Sequence, residues 1–221
     1  MAPSAGAAPA PRRVVAAFDF DGTITDRDTL LPFLVLAFGR ARVAAVLAAL
    51  GLSALGVVLR LVTIDRFKQR VLRRLVADVP AQRLRALGPV HARAIASWLR
   101  PGALERIEWH RAQGHALVLV SSTLDLYLAQ VAAELGFDHL LCSRLEVRTE
   151  GAAGERFSGA IEGIDCTGAE KLRRLTACLG GLDAVELHAY GDSAGDRELL
   201  AAADHPHFRP FRRSKPGASS R

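Results

Sequence analysis

Two acidic residues near the start of the chain have the spacing of a reactive pair. Asp19 and Asp21 stand at alternate positions directly after the apolar run Val14–Phe18. Strand alternation places both carboxylates on one side until the turn begins. Because two carboxylates this close repel each other, a divalent cation that prefers oxygen ligands, above all Mg²⁺, would relieve the repulsion. The pair is therefore a candidate nucleophile beside a candidate proton donor.

A second acidic pair lies towards the C-terminus. Asp192 and Asp196 follow the apolar run Val185–Tyr190, and the glycines in this segment let the backbone approach a ligand closely. This pair would add two carboxylates to the first if the two apolar runs are neighbouring strands.

Two further residues could hold an anion near these acids. Ser121 opens the polar segment after the apolar run Ala116–Val120. A hydroxyl and successive backbone amides can hold phosphate oxygens at such a place. Lys171 follows Cys166–Glu170 near a predicted helix start, where a cation is unfavourable unless an anion lies opposite. Together they predict a phosphate site.

A parallel sheet would bring these residues together. The three apolar runs alternate with helical periodicity, for example over Ala103–Gln113 and Glu170–Leu179. This alternation is typical of βα units in an α/β fold. In such sheets the site lies beyond the carboxyl ends of the strands. We therefore expect the three polar segments to converge.

The domain boundaries follow from a long helical segment between the first two strands, which is too long for one crossover helix. We assign residues 12–29 and 100–208 to the α/β core and residues 30–99 to an inserted helical cap. The Ala/Pro/Gly-rich residues 1–11 are expected to be a disordered leader, and residues 209–221 a basic flexible tail.

The cap contains one unusually apolar segment and one basic segment. Val43–Leu59 has no charged residue and is at the lower edge of what can span a bilayer, but its glycines weaken that interpretation. We favour a buried helical hairpin, with membrane contact as the alternative. Arg66–Arg74 is typical of a solvated helix face, although it could also meet an anionic substrate.

Composition limits the partners. The formal net charge of +6 favours an anionic partner, but only 6% of residues are aromatic, which makes nucleic acid an unlikely partner. The three cysteines form no CxxC motif, so we expect reduced thiols in the cytoplasm and no zinc site. His205 and His207 flank a proline and are interpreted as exposed loop residues without a ligand role.

The motifs, in this order, resemble the haloacid dehalogenase superfamily of phosphohydrolases, and most closely its subclass IB, which includes phosphoserine phosphatase and phosphatidylglycerophosphatase C. The resemblance runs from Val14 to about Leu200. It implies a Rossmann-like parallel sheet core with an inserted helical cap, a Mg²⁺ cofactor, and hydrolysis of a phosphomonoester through an aspartyl-phosphate.

The resemblance also implies a role for each motif residue. Asp19 would attack phosphorus, and Asp21 would protonate the leaving oxygen and then activate water. Asp19, the Asp21 backbone carbonyl and Asp192 would bind Mg²⁺. Asp196 would orient water from just outside the metal's ligands. The residues that would hold the phosphate are Gly22, Thr23, Ser121 and Lys171.

The substrate stays open between three choices. Phosphoserine phosphatases carry a Glu at the position of Asp28 and a cap arginine, which Arg74 resembles in placement. The phosphatidylglycerophosphatase relatives share an apolar early cap, which could contact a membrane peripherally. We rank an unspecified phosphomonoester first, with a phosphoserine-like metabolite and a lipid head group behind it.

Two other classes of function remain alternatives. A non-enzymatic protein that binds an anionic surface or nucleic acid would explain the basic charge without needing the acidic residues. Transfer of the phosphoryl group to an acceptor other than water is the third hypothesis, and product analysis would separate it from hydrolysis.

Overall fold

The computed structural model describes residues 12–51, 63–149 and 154–212. The described strands, in chain order, are β1 (Arg13–Phe18), β2 (Ala116–Leu124), β3 (His139–Ser143), β4 (Leu145–Thr149), β5 (Glu155–Ile161), β6 (Val185–Gly191) and β7 (His205–Phe208). The described α-helices are α1 (Leu30–Phe38), α2 (Arg40–Ala49), α3 (Ile64–Val76), α4 (Ala81–Ile95), α5 (Pro101–Ala112), α6 (Asp125–Glu134), α7 (Ala169–Leu179) and α8 (Arg197–Ala201).

Five of these strands form one parallel sheet in the order β3-β2-β1-β6-β7. The central strand β1 is fully buried from Val15 to Phe18, as expected of a parallel strand that is covered on both faces. The predicted α/β class with a parallel sheet is confirmed. The prediction that β2 ends at Val120 was wrong, because the strand continues to Leu124 with a register shift after Ser121.

Alternate residues of the sheet feed two hydrophobic cores. Val15 and Ala17 of β1 pack with Leu175 of α7 and with α8 on one face. Ala16 and Phe18 pack on the other face in a larger core that includes the cap helices. The sheet is therefore covered on both faces, and its carboxyl edge lies next to the cap.

Helices α1 to α4 form the described part of the cap. A bend of 117° separates α1 from α2 at Gly39. Within the described residues no single helix is long and apolar enough to cross a membrane, and only the bent pair α1 and α2 has the length and composition to be considered. The predicted hairpin over Val43–Leu59 lies outside the described residues from position 52 onwards.

The antiparallel hairpin of β4 and β5 was not predicted, and it contacts the cap. The amide of Asp78 donates to the carbonyl of Phe157 at 2.9 Å, and the amide of Phe157 donates to the carbonyl of Val79 at 3.0 Å. Phe157, which the sequence analysis assigned to the α/β core, thus pairs with the residues that follow α3 in the cap. Leu145–Arg148 does alternate apolar and polar residues, but the contact with α3 is long-range and leaves no sign in local sequence patterns.

An ion pair joins the cap to the core beside Ser121. The Lys68 ammonium of α3 lies 2.9 Å from Asp165 Oδ2 and donates to the carbonyl of Ser122 at 2.6 Å. The two charged side chains are only 11% and 4% exposed. The Ser143 hydroxyl also donates to Asp165. This buried pair is therefore positioned to hold α3 against the end of β2 after Ser121.

We expect Lys68→Met to lower the free energy of unfolding by about 3 kcal/mol, because it leaves the buried Asp165 carboxylate without its cation. Arg85→Met is the matched control, since Arg85 pairs with Glu155 and both side chains are half exposed. That control should cost less than about 1 kcal/mol. Urea denaturation measures both values. Equal losses in the two variants would contradict a stabilising role for the buried pair.

Candidate active site

The carboxyl ends of neighbouring strands bring the predicted acids together. Asp19 follows β1 directly and Asp192 follows β6, and the Asp19 amide donates to the carbonyl of Tyr190 at 2.8 Å. Carboxylate oxygens of Asp19, Asp192 and Asp196 lie within 4.8 Å of one another, and all three residues are buried. These three residues form the acidic cluster.

Lys171 lies in the middle of this cluster. Its ammonium is 2.5 Å from Asp19 Oδ1 and 2.6 Å from Asp196 Oδ1, and the residue is 3% exposed. Burial alone would lower the pKa of Lys171, but the two carboxylates outweigh it and raise that pKa. The lysine is therefore fully charged, and its position at the start of α7 is explained by the acids opposite.

Asp196 has all its oxygens committed. Its Oδ2 accepts hydrogen bonds from the amides of Asp192 and Ser193 at 3.1 and 3.0 Å, and from the Ser193 hydroxyl at 2.9 Å. Burial raises the pKa of Asp196, but Lys171 and these hydrogen bonds outweigh it and lower the pKa. Asp196 is thus a fixed negative charge that orients its neighbours.

Asp192 meets the segment predicted to be a flexible tail. Arg212 lies 2.7 Å from Asp192 Oδ2, and Arg209 Nε donates to the Asp192 carbonyl at 2.9 Å. The first residues of the predicted tail, up to Arg212, thus contact the backbone and the carboxylate of Asp192. Residues 213–221 lie outside the described part of the chain.

Oxygen donors of this kind suit Mg²⁺. Hard divalent cations prefer carboxylate oxygens, and Mg²⁺ is usually held by one or two carboxylates together with substrate phosphates. Asp19 and Asp192 stay the predicted carboxylate ligands, whereas Asp196 Oδ2 already accepts three hydrogen bonds. The carboxylate of Asp21 belongs to a separate hydrogen-bond network, and a ligand role for its backbone carbonyl stays a prediction.

Asp21 is held by two threonines that sequence reasoning did not include. Its Oδ1 accepts from the Thr29 hydroxyl at 2.7 Å and from the Thr29 amide at 3.0 Å, and its Oδ2 accepts from the Thr123 hydroxyl. Burial, followed by the charge of Asp28, raises the pKa of Asp21 to about 7. The Asp21 carboxyl is therefore able to carry a proton near neutral pH.

Asp19 differs from Asp21 in its partners. Burial raises the pKa of Asp19 to about 6, and the Lys171 ammonium opposes a larger rise. The Thr23 hydroxyl donates to Asp19 Oδ2 at 3.1 Å. Two carboxyl groups with different environments can divide the roles of nucleophile and acid. Thr23, predicted to bind phosphate, is seen here positioning Asp19.

Gly22 allows the close approach of two elements. Its φ is 80°, and a Cβ at this position would lie 2.6 Å from Asp192 Oδ2. Only glycine adopts this backbone conformation at little cost and leaves this space free. The predicted contact of Gly22 with phosphate is untested, whereas its contact with Asp192 is direct.

The remaining predicted residues, Ser121, Asp28 and Arg74, differ in their burial and in their hydrogen bonds. Ser121 is buried at the register shift of β2, and its Oγ accepts from the Thr123 amide at 3.2 Å. Asp28 is exposed, and its Oδ1 accepts from the Leu31 amide at 3.0 Å, at the start of α1. Arg74 is exposed on α3, and no hydrogen bond or ion pair within the described residues joins it to the acidic cluster.

The comparisons with known proteins identify the family. The family model of the haloacid dehalogenase-like hydrolases matches residues 16–201. The chain belongs to the haloacid dehalogenase-like hydrolase family. This chain is similar to protein CicA of Caulobacter vibrioides. The two are 33% identical over 204 residues, which cover 90% of this chain and 87% of CicA.

Solved structures share the fold of this hydrolase. A protein of unknown function from Bordetella pertussis Tohama I is similar with a TM-score of 0.70 and 25% identity, over 86% of this chain and 87% of that one. A phosphoserine phosphatase with a phospho-aspartyl intermediate analogue has a TM-score of 0.55 and 21% identity, over 87% of this chain and 84% of that one. At this identity the second likeness concerns the fold alone.

We expect Gly22→Ala to weaken Mg²⁺ binding at least about tenfold, because the new methyl group would displace the Asp192 carboxylate. Gly180→Ala is the matched control, since Gly180 has a φ of 72° and nothing within 4 Å of its added Cβ. Both variants should lose about 1–2 kcal/mol of stability, because alanine is strained in the left-handed backbone conformation of these glycines. Isothermal titration calorimetry compares the Mg²⁺ affinities, and equal affinities would contradict the steric argument.

Proposed function

We propose that this hydrolase is a Mg²⁺-dependent phosphatase of subclass IB that acts on a phosphomonoester through an aspartyl-phosphate on Asp19. The observation that carries the proposal is the arrangement of the Lys171 ammonium between Asp19 and Asp196, with the Asp21 carboxyl in a network of its own. The proposed nucleophile Asp19, the cation Lys171 and the proposed proton donor Asp21 are thus separate groups at the carboxyl edge of the sheet.

In the first step a carboxylate oxygen of Asp19 attacks phosphorus. The new bond from this oxygen to phosphorus forms as the bond from phosphorus to the ester oxygen breaks. The proton on Asp21 passes to the leaving oxygen, so the alcohol departs neutral. The pKa of Asp21 near 7 supports this role, because the group holds a proton in a substantial fraction of molecules at neutral pH.

In the second step water removes the phosphoryl group from Asp19. The ionised Asp21 takes a proton from water as the water oxygen attacks phosphorus. The bond from phosphorus to Asp19 then breaks, and inorganic phosphate leaves the regenerated carboxylate. The covalent intermediate divides one displacement into two easier ones.

Charge neutralisation supports both steps. Lys171 reaches Asp19 Oδ1 directly, so it is placed to pair with a phosphoryl oxygen next to the nucleophile. Mg²⁺ held by Asp19 and Asp192 would supply the further positive charge that phosphoryl transfer requires. Asp196 would keep Lys171 and the backbone of Asp192 in place through its fixed hydrogen bonds.

An unspecified phosphomonoester stays the first choice of substrate, and particular residues bear on the two narrower classes behind it. A phosphoserine-like metabolite is favoured by the acidic Asp28, whose charge acts on Asp21 and could pair with a substrate ammonium. A lipid head group is favoured by apolar cap side chains that are 43% to 71% exposed, namely Leu31, Leu36 and Ile64. Exposed apolar groups of this kind can contact acyl chains at a membrane surface.

Release of inorganic phosphate tests the proposal. The substrates are phosphoserine, other small phosphomonoesters and detergent-dispersed phosphatidylglycerophosphate, each with Mg²⁺ and with EDTA. We expect release with Mg²⁺, none with EDTA, and a loss of at least about a thousandfold in Asp19→Asn, because that variant lacks the nucleophile. The preferred substrate separates the two classes.

Failure to release phosphate from any substrate by a folded protein would contradict the hydrolase proposal. Circular dichroism supplies the check that Asp19→Asn and the wild type share one fold. Salt-sensitive binding to anionic surfaces or nucleic acid without phosphate release would then support the non-enzymatic alternative.

We expect Thr123→Val to lower kcat about tenfold with little change in KM, because it removes a hydroxyl that positions Asp21. Thr123→Ser is the matched control, since it keeps a hydroxyl at this position and should retain most of kcat. Steady-state kinetics on the preferred phosphomonoester gives both constants. A raised KM at unchanged kcat would instead indicate that Thr123 binds substrate.

A further inference from the structure

Five of the seven histidines lie together where α5 and the turn after it pack against β6 and β7. They are joined by ring contacts with centroids between 4.2 and 6.2 Å apart: His110, His115, His188, His205 and His207. This cluster takes no part in the phosphatase mechanism proposed above.

Strand register brings two of these histidines beside one acid. In the parallel pairing of β6 with β7, His188 is the direct partner of His205. Glu186 stands two residues before His188 and therefore on the same face of β6. Its Oε1 lies 2.9 Å from His205 Nε2 and 3.9 Å from His188 Nε2.

These distances match one metal ion shared by three ligands. Zinc bonds to imidazole nitrogen and carboxylate oxygen are about 2.0–2.2 Å long, so the ligand atoms of a tetrahedral ion lie about 3–4 Å from one another. Ligand atoms of Glu186, His188 and His205 all lie within 4.8 Å of one another. The rings of His188 and His205 stack at an interplanar angle of 24°, so one ring must rotate for both imidazoles to point a nitrogen at one ion.

Two unsatisfied nitrogens lie in the cluster, one on the proposed ligand His188 and one on His207, which is outside the ligand set. Among the described residues, His188 Nδ1 and His207 Nε2 are buried side-chain atoms without a hydrogen-bond partner. Buried polar atoms normally have partners, so each exception needs an explanation.

We propose that Glu186, His188 and His205 form a zinc site, separate from the acidic cluster at the strand ends. Two imidazoles with one carboxylate suit Zn²⁺, whereas Mg²⁺ prefers oxygen ligands. The side chains of Glu186 and His205 are 40% and 46% exposed, so an ion can enter from solvent. Zinc here ties the edge strand β7 to β6, the strand that leads to Asp192.

The sequence predicted no zinc site, and the difference from this proposal has a physical reason. The usual zinc signals are ligands at short fixed spacings in the chain. Here the ligands come from two strands, and only the register of β6 against β7 places them together. His205 and His207 lie on β7 and not in the loop that sequence suggested.

Zinc binding by the full-length chain without a histidine tag tests the site. The variant Asp19→Asn/Asp192→Asn serves as the starting protein, because it removes two carboxylates of the acidic cluster, and excess Mg²⁺ is present throughout. Competition with a chelating indicator should find one zinc per chain. In this background we expect His205→Ala to weaken binding at least about tenfold. His139→Ala, at an exposed position on the opposite edge strand β3, should leave it unchanged.

A second readout follows stability. Zinc that binds only the folded chain raises the midpoint of thermal unfolding. We expect this rise in the starting protein and in His139→Ala, and its loss in His205→Ala and in Glu186→Gln, a conservative change at a partly exposed position. Absence of zinc binding, or equal zinc affinity in His205→Ala and His139→Ala, would overturn the proposal and leave the cluster as aromatic packing.

Discussion

The buried ammonium of Lys171 is the contact on which the site depends. A buried charge is stable only when it is paired, and Lys171 pairs with Asp19 and Asp196. The strand ends and the start of α7 must therefore meet at this point. Three carboxylates against one buried lysine still leave excess negative charge, which the half-exposed Arg212 offsets at Asp192. The same excess explains why a divalent cation suits the site.

The carboxyl groups of Asp19 and Asp21 lie in two separate hydrogen-bond networks. Asp19 faces a cation, whereas Asp21 faces two threonine hydroxyls and the charge of Asp28. Burial raises the pKa of both groups, but only Asp19 has a cation that opposes the rise. Thr29 at the cap boundary and Thr123 of β2 define this second network, and Lys68 joins the cap helix α3 to Ser122 beside it. The position of the cap is thus linked to the hydrogen bonds of Asp21 through neighbouring residues.

Much of the core and most of the acidic cluster could be predicted from sequence, because apolar strands that end in Asp or Ser have local patterns. The edge strand β7 and the hairpin of β4 and β5 were missed, since β7 has only 4 residues and the contacts of the hairpin with α3 are distant in the chain. Arg74 and Lys68 lie on one basic helix, and the charges alone could not show that Lys68 reaches the core. Thr123 lies two residues after the predicted Ser121, but its bond to Asp21 depends on the irregular end of β2.

The central claim is that Asp19 becomes covalently phosphorylated. Rapid acid quenching of the working enzyme, followed by peptide mass spectrometry, tests it most directly. We predict a phosphate on the peptide that contains Asp19, removable by hydroxylamine as an acyl phosphate, and absent from Asp19→Asn. Phosphate release at an undiminished rate by Asp19→Asn, or a covalent phosphate confined to another residue, would contradict the account.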